Sequence, residues 1–311
     1  MIRMKYLLMI VLVGLFISVF TLPALAQQQM IGLINHSIGD EFQSSMKAGA
    51  IETAEKLGYK VESAISDGDT SRQQQLIRNF SRQGAVGILL GSHSPEAADA
   101  GVQLAQSLGM KVVTLDSNPT NAIPAGTVGG KDVEAGYITG KNLAEAMDGE
   151  GKVAIWKFPT PIRPSVLRVE GFHKAFDEYP DIEVVVEQST DFDALEAMKW
   201  AQAIIKGNPD LKGFISINNT AGIGIARGVE QADKLDQIKN ATINEGREAF
   251  QAIEEGKLIG TYSMNADNFG AIGALELDRA LNGKATARTV EASGVWIDEN
   301  NVSEMYKYLE K

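Results

Sequence analysis

From Met30 onward, short apolar runs alternate with stretches of helical period, and this alternation constrains the fold more than any other feature of the chain. An apolar strand is expected over 30–34, then a polar turn over 35–40, then a helix over 42–57. Phe42, Met46, Gly49, Ala50, Thr53, Ala54 and Leu57 follow the helical period, and Gly58 closes it. The unit repeats, with strands expected over 60–65, 86–90 and 111–115 and helices over 70–83 and 95–108. A second series begins after Gly129-Gly130. It predicts helices over 132–147, 164–178, 192–206, 221–232, 248–255 and 269–281. Its strands are expected over 152–156, 182–188, 213–217, 240–244, 259–264 and 291–297. Strands joined by helices of this length form parallel sheets with right-handed crossovers and helices on both faces. Two series of similar size predict an α/β chain of two similar lobes, and no repeat, low-complexity segment or linker separates them.

Residues 1–26 stand outside that pattern. Arg3 and Lys5, an apolar stretch over 6–22 and Ala24-Leu25-Ala26 ahead of Gln27 have the form of a secretory signal cleaved after Ala26. The alternative, a membrane anchor, is opposed by Pro23 and the polar Gln27-Gln28-Gln29 that end the apolar run. Cleavage would leave 285 residues and, with Arg3 and Lys5 removed, take the net charge from -11 to -13. Such acidity argues against a nucleic-acid partner, which needs clustered cations. The chain has no cysteine, so it has no disulfide, no thiolate metal site, no cysteine nucleophile and no lipid-attachment cysteine. Its stability must come from burial, for which its length suffices.

In open parallel sheets, ligands sit off the carboxyl ends of the strands. The loops at those ends carry His36, Asp40, Gln43, Asp116, Arg163, Asn218, Asn219, Glu245 and Asn265, with Phe42 and Phe192 as aromatic plates. Amides and carboxylates beside an aromatic face suit a polyhydroxylated ligand, whose hydroxyls both donate and accept while its C–H face packs on a ring. Each candidate also has a plainer role. Asp40 could cap a helix, His36 could be a local donor, Arg163 could cover the rim, and Asn218 with Asn219 could form an Asx-turn. Phe192 could belong to the core, as is expected of Trp156. Asp116, at the end of an apolar strand, has the fewest alternatives. No dinucleotide fingerprint, phosphate-cradling loop or nucleophile elbow is present. His36, His93 and His173 do not share metal-ligand spacing. No catalytic residue, metal or cofactor is expected.

In order and local signature the chain resembles the periplasmic sugar-binding proteins of ABC importers, type I, the ribose-binding group. Phe42-x-x-x-Met46-Lys47-x-Gly49-Ala50 with Ala54-Glu55-x-Leu57-Gly58-Tyr59 is similar to that family's first helix and its exit. Gly84-x-x-Gly87-Ile88-Leu89-Leu90, Val112-Val113-Thr114-Leu115-Asp116, Arg168-x-x-Gly171-Phe172, Asp191-Phe192-Asp193 and Gly256-Lys257-Leu258 continue the resemblance. It implies two Rossmann-like lobes with parallel sheets joined by a three-strand hinge. The lobes would be 27–130 plus 265–290 and 131–264 plus 291–311. Carried over, ligand contacts fall at His36, Asp40, Phe42, Gln43, Asp116, Ser117, Phe192, Asn218 and Glu245, with Met264 at the hinge and Arg163 just before the family's arginine position.

The chain departs from the ribose pattern at Asp40, Gln43, Ser117, Val166 and Met264. The loss of an arginine and an aromatic changes the hydrogen-bond inventory, and a buried unpaired polar group costs about 1–3 kcal/mol. The ligand implied is therefore a small polar molecule, a sugar or polyol, and not ribose by default. The expected output is delivery by a periplasmic monomer to an inner-membrane ABC permease. The alternative is a sensor that docks on a receptor kinase or chemoreceptor. An exported glycosidase using Asp40 and Asp116 is the remaining reading.

Overall fold

The computed structural model describes residues 28–37, 41–158, 163–189 and 193–309. The expected signal over 1–26 lies outside them, as do Asp40 and Phe192. In chain order the elements of the first half are β1 (Met30–Asn35), α1 (Glu41–Lys56), β2 (Lys60–Ile65), α2 (Thr70–Arg82), β3 (Ala85–Leu90), α3 (Pro95–Ser107), β4 (Lys111–Leu115) and β5 (Gly126–Gly130). Then come α4 (Asp132–Ala146), β6 (Glu150–Lys157), α5 (Arg163–Phe176), β7 (Asp181–Ser189), α6 (Ala194–Gly207), β8 (Leu211–Ser216), α7 (Asn219–Gln231) and β9 (Lys239–Ile243). The chain continues through α8 (Arg247–Glu254), β10 (Gly260–Ser263), α9 (Ala266–Leu281), β11 (Thr289–Ala292), β12 (Val295–Ile297) and α10 (Val302–Met305), ending in a 3-10 turn, Tyr306–Tyr308.

Two six-stranded sheets form, ordered β2-β1-β3-β4-β5-β11 and β7-β6-β8-β9-β10-β12. The two orders are equivalent strand for strand. Every pairing is parallel except β10 with β12. The inner strands β1, β3 and β4 are apolar and buried along almost their whole length because both faces are covered, whereas the edge strand β2 is partly exposed. In the first sheet Ile31, Leu33, Leu89 and Val113 join one buried cluster, while Met30, Ile34, Ile88, Leu90 and Val112 join another on the opposite face. This is the strand period of two, with each face burying its own set. Side-chain caps start several helices at the carboxyl ends of the strands: Asp69 accepts from Ser71 N at 2.6 Å and Asp193 from Leu195 N at 2.7 Å.

The helices beside the crossings pack backbone to backbone. A Cβ on Gly270 of α9 would lie 2.5 Å from Ala50 N of α1 and would also meet Met46 O. Gly171 of α5 stands likewise against Tyr137 N of α4. Because the obstacle is backbone, Gly270→Ala is expected to destabilise by about 2 kcal/mol despite alanine's better helix propensity, as read from urea denaturation.

The chain passes between the sheets three times: after Gly130 into α4, after Ser263 into α9, and between β11 and β12. Besides α10 and the 3-10 turn after it, which were not expected, two strands differ from expectation. β5 was not expected, because Gly-Thr-Val-Gly-Gly carries no apolar run. The single strand expected over 291–297 is two strands in different sheets. Glu291 and Ala292 pair with Gly129 and Gly130, so the last crossing falls at Ser293-Gly294, two residues beyond the 290/291 division. Among the described residues no helix is long and apolar enough to cross a membrane.

Candidate functional site

The carboxyl ends of the two sheets meet. Glu41, which opens α1, accepts a hydrogen bond through Oε2 from Arg247 N, which opens α8 of the other lobe. Glu245, just after β9, reaches the start of α9. The loops expected to hold ligand therefore face one cleft.

On the first lobe, β1 ends in Asn35, whose Nδ2 donates to Gln43 O at 3.0 Å and Gln43 Oε1 at 3.3 Å. Asn35 and Gln43 are both buried, so this pair fixes the turn from β1 into α1. Phe42 is buried edge-on to Phe269 at 5.6 Å, which ties α1 to α9. His36 Nδ1 is buried and has no hydrogen-bond partner among the described residues. Burial first, and the neighbouring His93 second, push the His36 pKa down to about 4, so the ring is neutral at pH 7. Asp116 leaves β4 in the left-handed region, φ 49°, where Asp and Asn are the best tolerated side-chain-bearing residues, and its N–H donates to Val128 O at 2.8 Å. Ser117 is turned away to a structural task. Its Oγ accepts from Ser92 N at 2.6 Å and donates to Ser92 O at 3.0 Å, binding the loops after β3 and β4 together.

On the second lobe, Asn218 caps α7: Oδ1 accepts from Ala221 N at 2.9 Å. Its Nδ2 is buried and unpartnered among the described residues. Asn219 Nδ2 donates to Glu245 O at 2.8 Å. The Glu245 carboxylate is fully engaged: Oε2 accepts from Ser263 Oγ at 3.1 Å and Met264 N at 2.8 Å, and Oε1 from Ala266 N at 2.7 Å. Met264 is buried at the crossing, with its terminal methyl against Gly130. Arg163 is exposed at the start of α5. Thus His36, Asp116, Asn218 and Asn219 stand at the strand ends, while Phe42, Gln43, Ser117, Glu245 and Met264 hold the loops and hinge around them.

Two features of the cleft floor escaped the sequence reading. Arg168, buried, donates from Nε to Asp132 Oδ1 at 2.9 Å and from Nη1 to Ile217 O at 2.8 Å. Nη1 also approaches Asn244 Oδ1 at 3.4 Å. Asn244 follows β9 at φ 81°, in the place that Asp116 occupies after β4 of the other lobe. The equivalence of Asp116 and Asn244 was the available signal: each is an Asp or Asn directly after a strand's last β-branched or leucine residue. Among the described residues no three His, Cys, Asp or Glu side chains gather as metal ligands.

Comparison with known proteins follows the same outline. A family model described as periplasmic binding protein domain matches residues 31–285. The ribose import binding protein of Bacillus subtilis is 24% identical over 262 residues, 84% of this chain and 85% of that one. The D-allose-binding periplasmic protein of Escherichia coli is 27% identical, over 88% of this chain and 90% of that one. Among solved structures, an ABC transporter periplasmic solute binding protein from Actinobacillus succinogenes with bound D-allose superposes with a TM-score of 0.83. It is 24% identical, over 89% of this chain and 100% of that one, a likeness that speaks for the fold.

Proposed function

This chain belongs to the periplasmic binding protein domain family, and from that premise we propose that it is a periplasmic receptor for a sugar or polyol. It takes the ligand between its lobes and presents it, as a monomer, to the permease of an ABC importer. Residues 1–26 serve as its export signal, cleaved after Ala26. The lobes are 27–130 with 265–292 and 131–264 with 293–311.

One observation carries this reading. His36 Nδ1 and Asn218 Nδ2, one from each lobe, are buried at the meeting strand ends without a partner among the described residues. A buried polar atom left unpaired costs about 1–3 kcal/mol, and a hydroxylated ligand spanning the cleft would relieve both at once. His36 is neutral and Asn218 uncharged, while Asp116 supplies an anionic acceptor, a set suited to hydroxyls. Contact with both lobes is available only when they are close together, so such a ligand shifts the hinge equilibrium toward closure.

A thermal-shift panel of D-ribose, D-allose and neutral polyols tests the reading. A true ligand at 100 times its dissociation constant stabilises by about 2.7 kcal/mol, equivalent to several degrees for a chain of this size. A panel in which no sugar or polyol moves the transition would sink it. Asp116→Asn keeps a residue that tolerates the left-handed backbone and removes the charge. It is expected to weaken binding about 10–100-fold in isothermal titration with the ligand so found, leaving the ligand-free melting temperature nearly unchanged. Undiminished affinity would remove Asp116 from the site.

A further inference from the structure

We propose that Glu41 is an interlobe latch, a carboxylate of one lobe that caps a helix of the other and holds the cleft shut. The inference rests on the reading of the chain as a two-lobed receptor that opens and closes.

The receiving end is a helix with no cap of its own. α8 starts after Gly246, and no side chain of its own segment accepts a hydrogen bond from its first turn. Glu41 Oε2 fills that role from across the cleft by accepting from Arg247 N. A carboxylate there satisfies an orphan donor and meets the positive end of the helix dipole. Gly246 makes the approach possible. A Cβ at that position would lie 2.7 Å from Glu41 Oε2 and 2.6 Å from Asn219 Nδ2. The seat is also held from behind. Asn219 Nδ2 fixes Glu245 O at 2.8 Å, and the Arg247 guanidinium lies over the Tyr306 ring at 5.7 Å, with Tyr306 edge-on to Phe250 at 5.4 Å.

Glu245 is the mirror of this arrangement. It caps α9 of the first lobe from the second, where Asn265 gives no side-chain cap. Glu245 lies beside the crossing, so its contacts survive a swing of the lobes. Glu41 and Arg247 are 206 residues apart in sequence and meet only across the cleft mouth. Opening must break that contact. The latch therefore adds to closure a contribution independent of any ligand and slows release of a bound one.

Because the chain lacks cysteine, spin labels can be placed at Glu55→Cys on α1 and Lys199→Cys on α6, both exposed, and the interlobe distance read by pulsed electron resonance. In sugar-free protein, Glu41→Ala is expected to move the distribution to longer distances and reduce the closed-to-open ratio about fivefold, the effect of losing one helix cap. Gly246→Ala, which obstructs the seat and leaves Glu41 in place, is expected to shift it the same way. Distributions that superimpose on that of the unmutated latch would overturn the proposal. Adding D-ribose, D-allose and myo-inositol separates the two readings: if none shortens the distance, the sugar receptor reading falls, while the latch is judged on the sugar-free distributions alone.

Discussion

Asp132→Ala is expected to lower the free energy of unfolding by about 3–5 kcal/mol, the largest effect anticipated for a single side chain in this protein. The Asp132 and Arg168 side chains are each only 7% exposed, and Nε donates to Oδ1 at 2.9 Å. Removing the carboxylate leaves a guanidinium in a nearly dry setting, where Ile217 O and Asn244 Oδ1 still accept from Nη1 but no carboxylate pairs with it among the described residues. The cost is that of the uncompensated charge rather than of the pair itself, so Asp132→Ala combined with Arg168→Met is expected to recover much of the loss. Urea denaturation of the single and double variants gives both numbers. A loss below about 1 kcal/mol for Asp132→Ala would mean that water reaches the guanidinium. Since Arg168 Nη1 also approaches Asn244, the same variant is expected to loosen the cleft floor.

Glu245→Ala is expected to cost about 3 kcal/mol, through a different cause. Its carboxylate gathers Ser263 Oγ, Met264 N and Ala266 N on the segment that crosses from β10 to α9. Alanine leaves two buried backbone N–H groups without acceptors, each worth about 1–3 kcal/mol when unsatisfied. Glu245→Gln keeps one oxygen acceptor but turns an amide N–H2 toward backbone donors, and is expected to recover less than half of the loss. Hydrogen exchange is the discriminating measurement. The amides of Met264 and Ala266 should exchange faster in Glu245→Ala while those of β3 and β4 are slowed or quickened only with global stability. Unchanged exchange at both positions would place their protection elsewhere.

The alternation of strand and helix was legible because the inner strands are covered on both faces, which writes β1, β3 and β4 as nearly continuous apolar runs. β5 was not, since glycine carries no side chain to report burial, and its pairing with β4 and β11 is set by neighbours distant in sequence. The strand ends were legible as the place where polar side chains of both lobes gather, and His36, Asp116, Asn218 and Asn219 stand at those ends. What sequence cannot assign is which side chain at a strand end looks into the cleft and which is spent on the scaffold. Ser117 spends its hydroxyl on the Ser92 backbone, and Glu245 spends both oxygens on the hinge. A carboxylate with backbone donors within reach and one aimed at a ligand look the same in a sequence. Arg168 reads as one residue of a helical signature, with no partner to show its task, until the fold brings Asp132 and Ile217 to it.

The interleaving of the two sheets also sets a timetable. The first sheet needs β11 at its edge and α9 over one face, and both are made only after the entire second sheet except β12 has been made. That second sheet in turn awaits β12, three residues long and close to the end of the chain. A chain emerging amino end first thus carries β3 to β5 with the face that α9 covers open until the second sheet has been made. Neither half can finish alone, and the two reach completion almost together, since only two residues separate β11 from β12. Such a polypeptide stays threadable for longer than one whose halves close in turn.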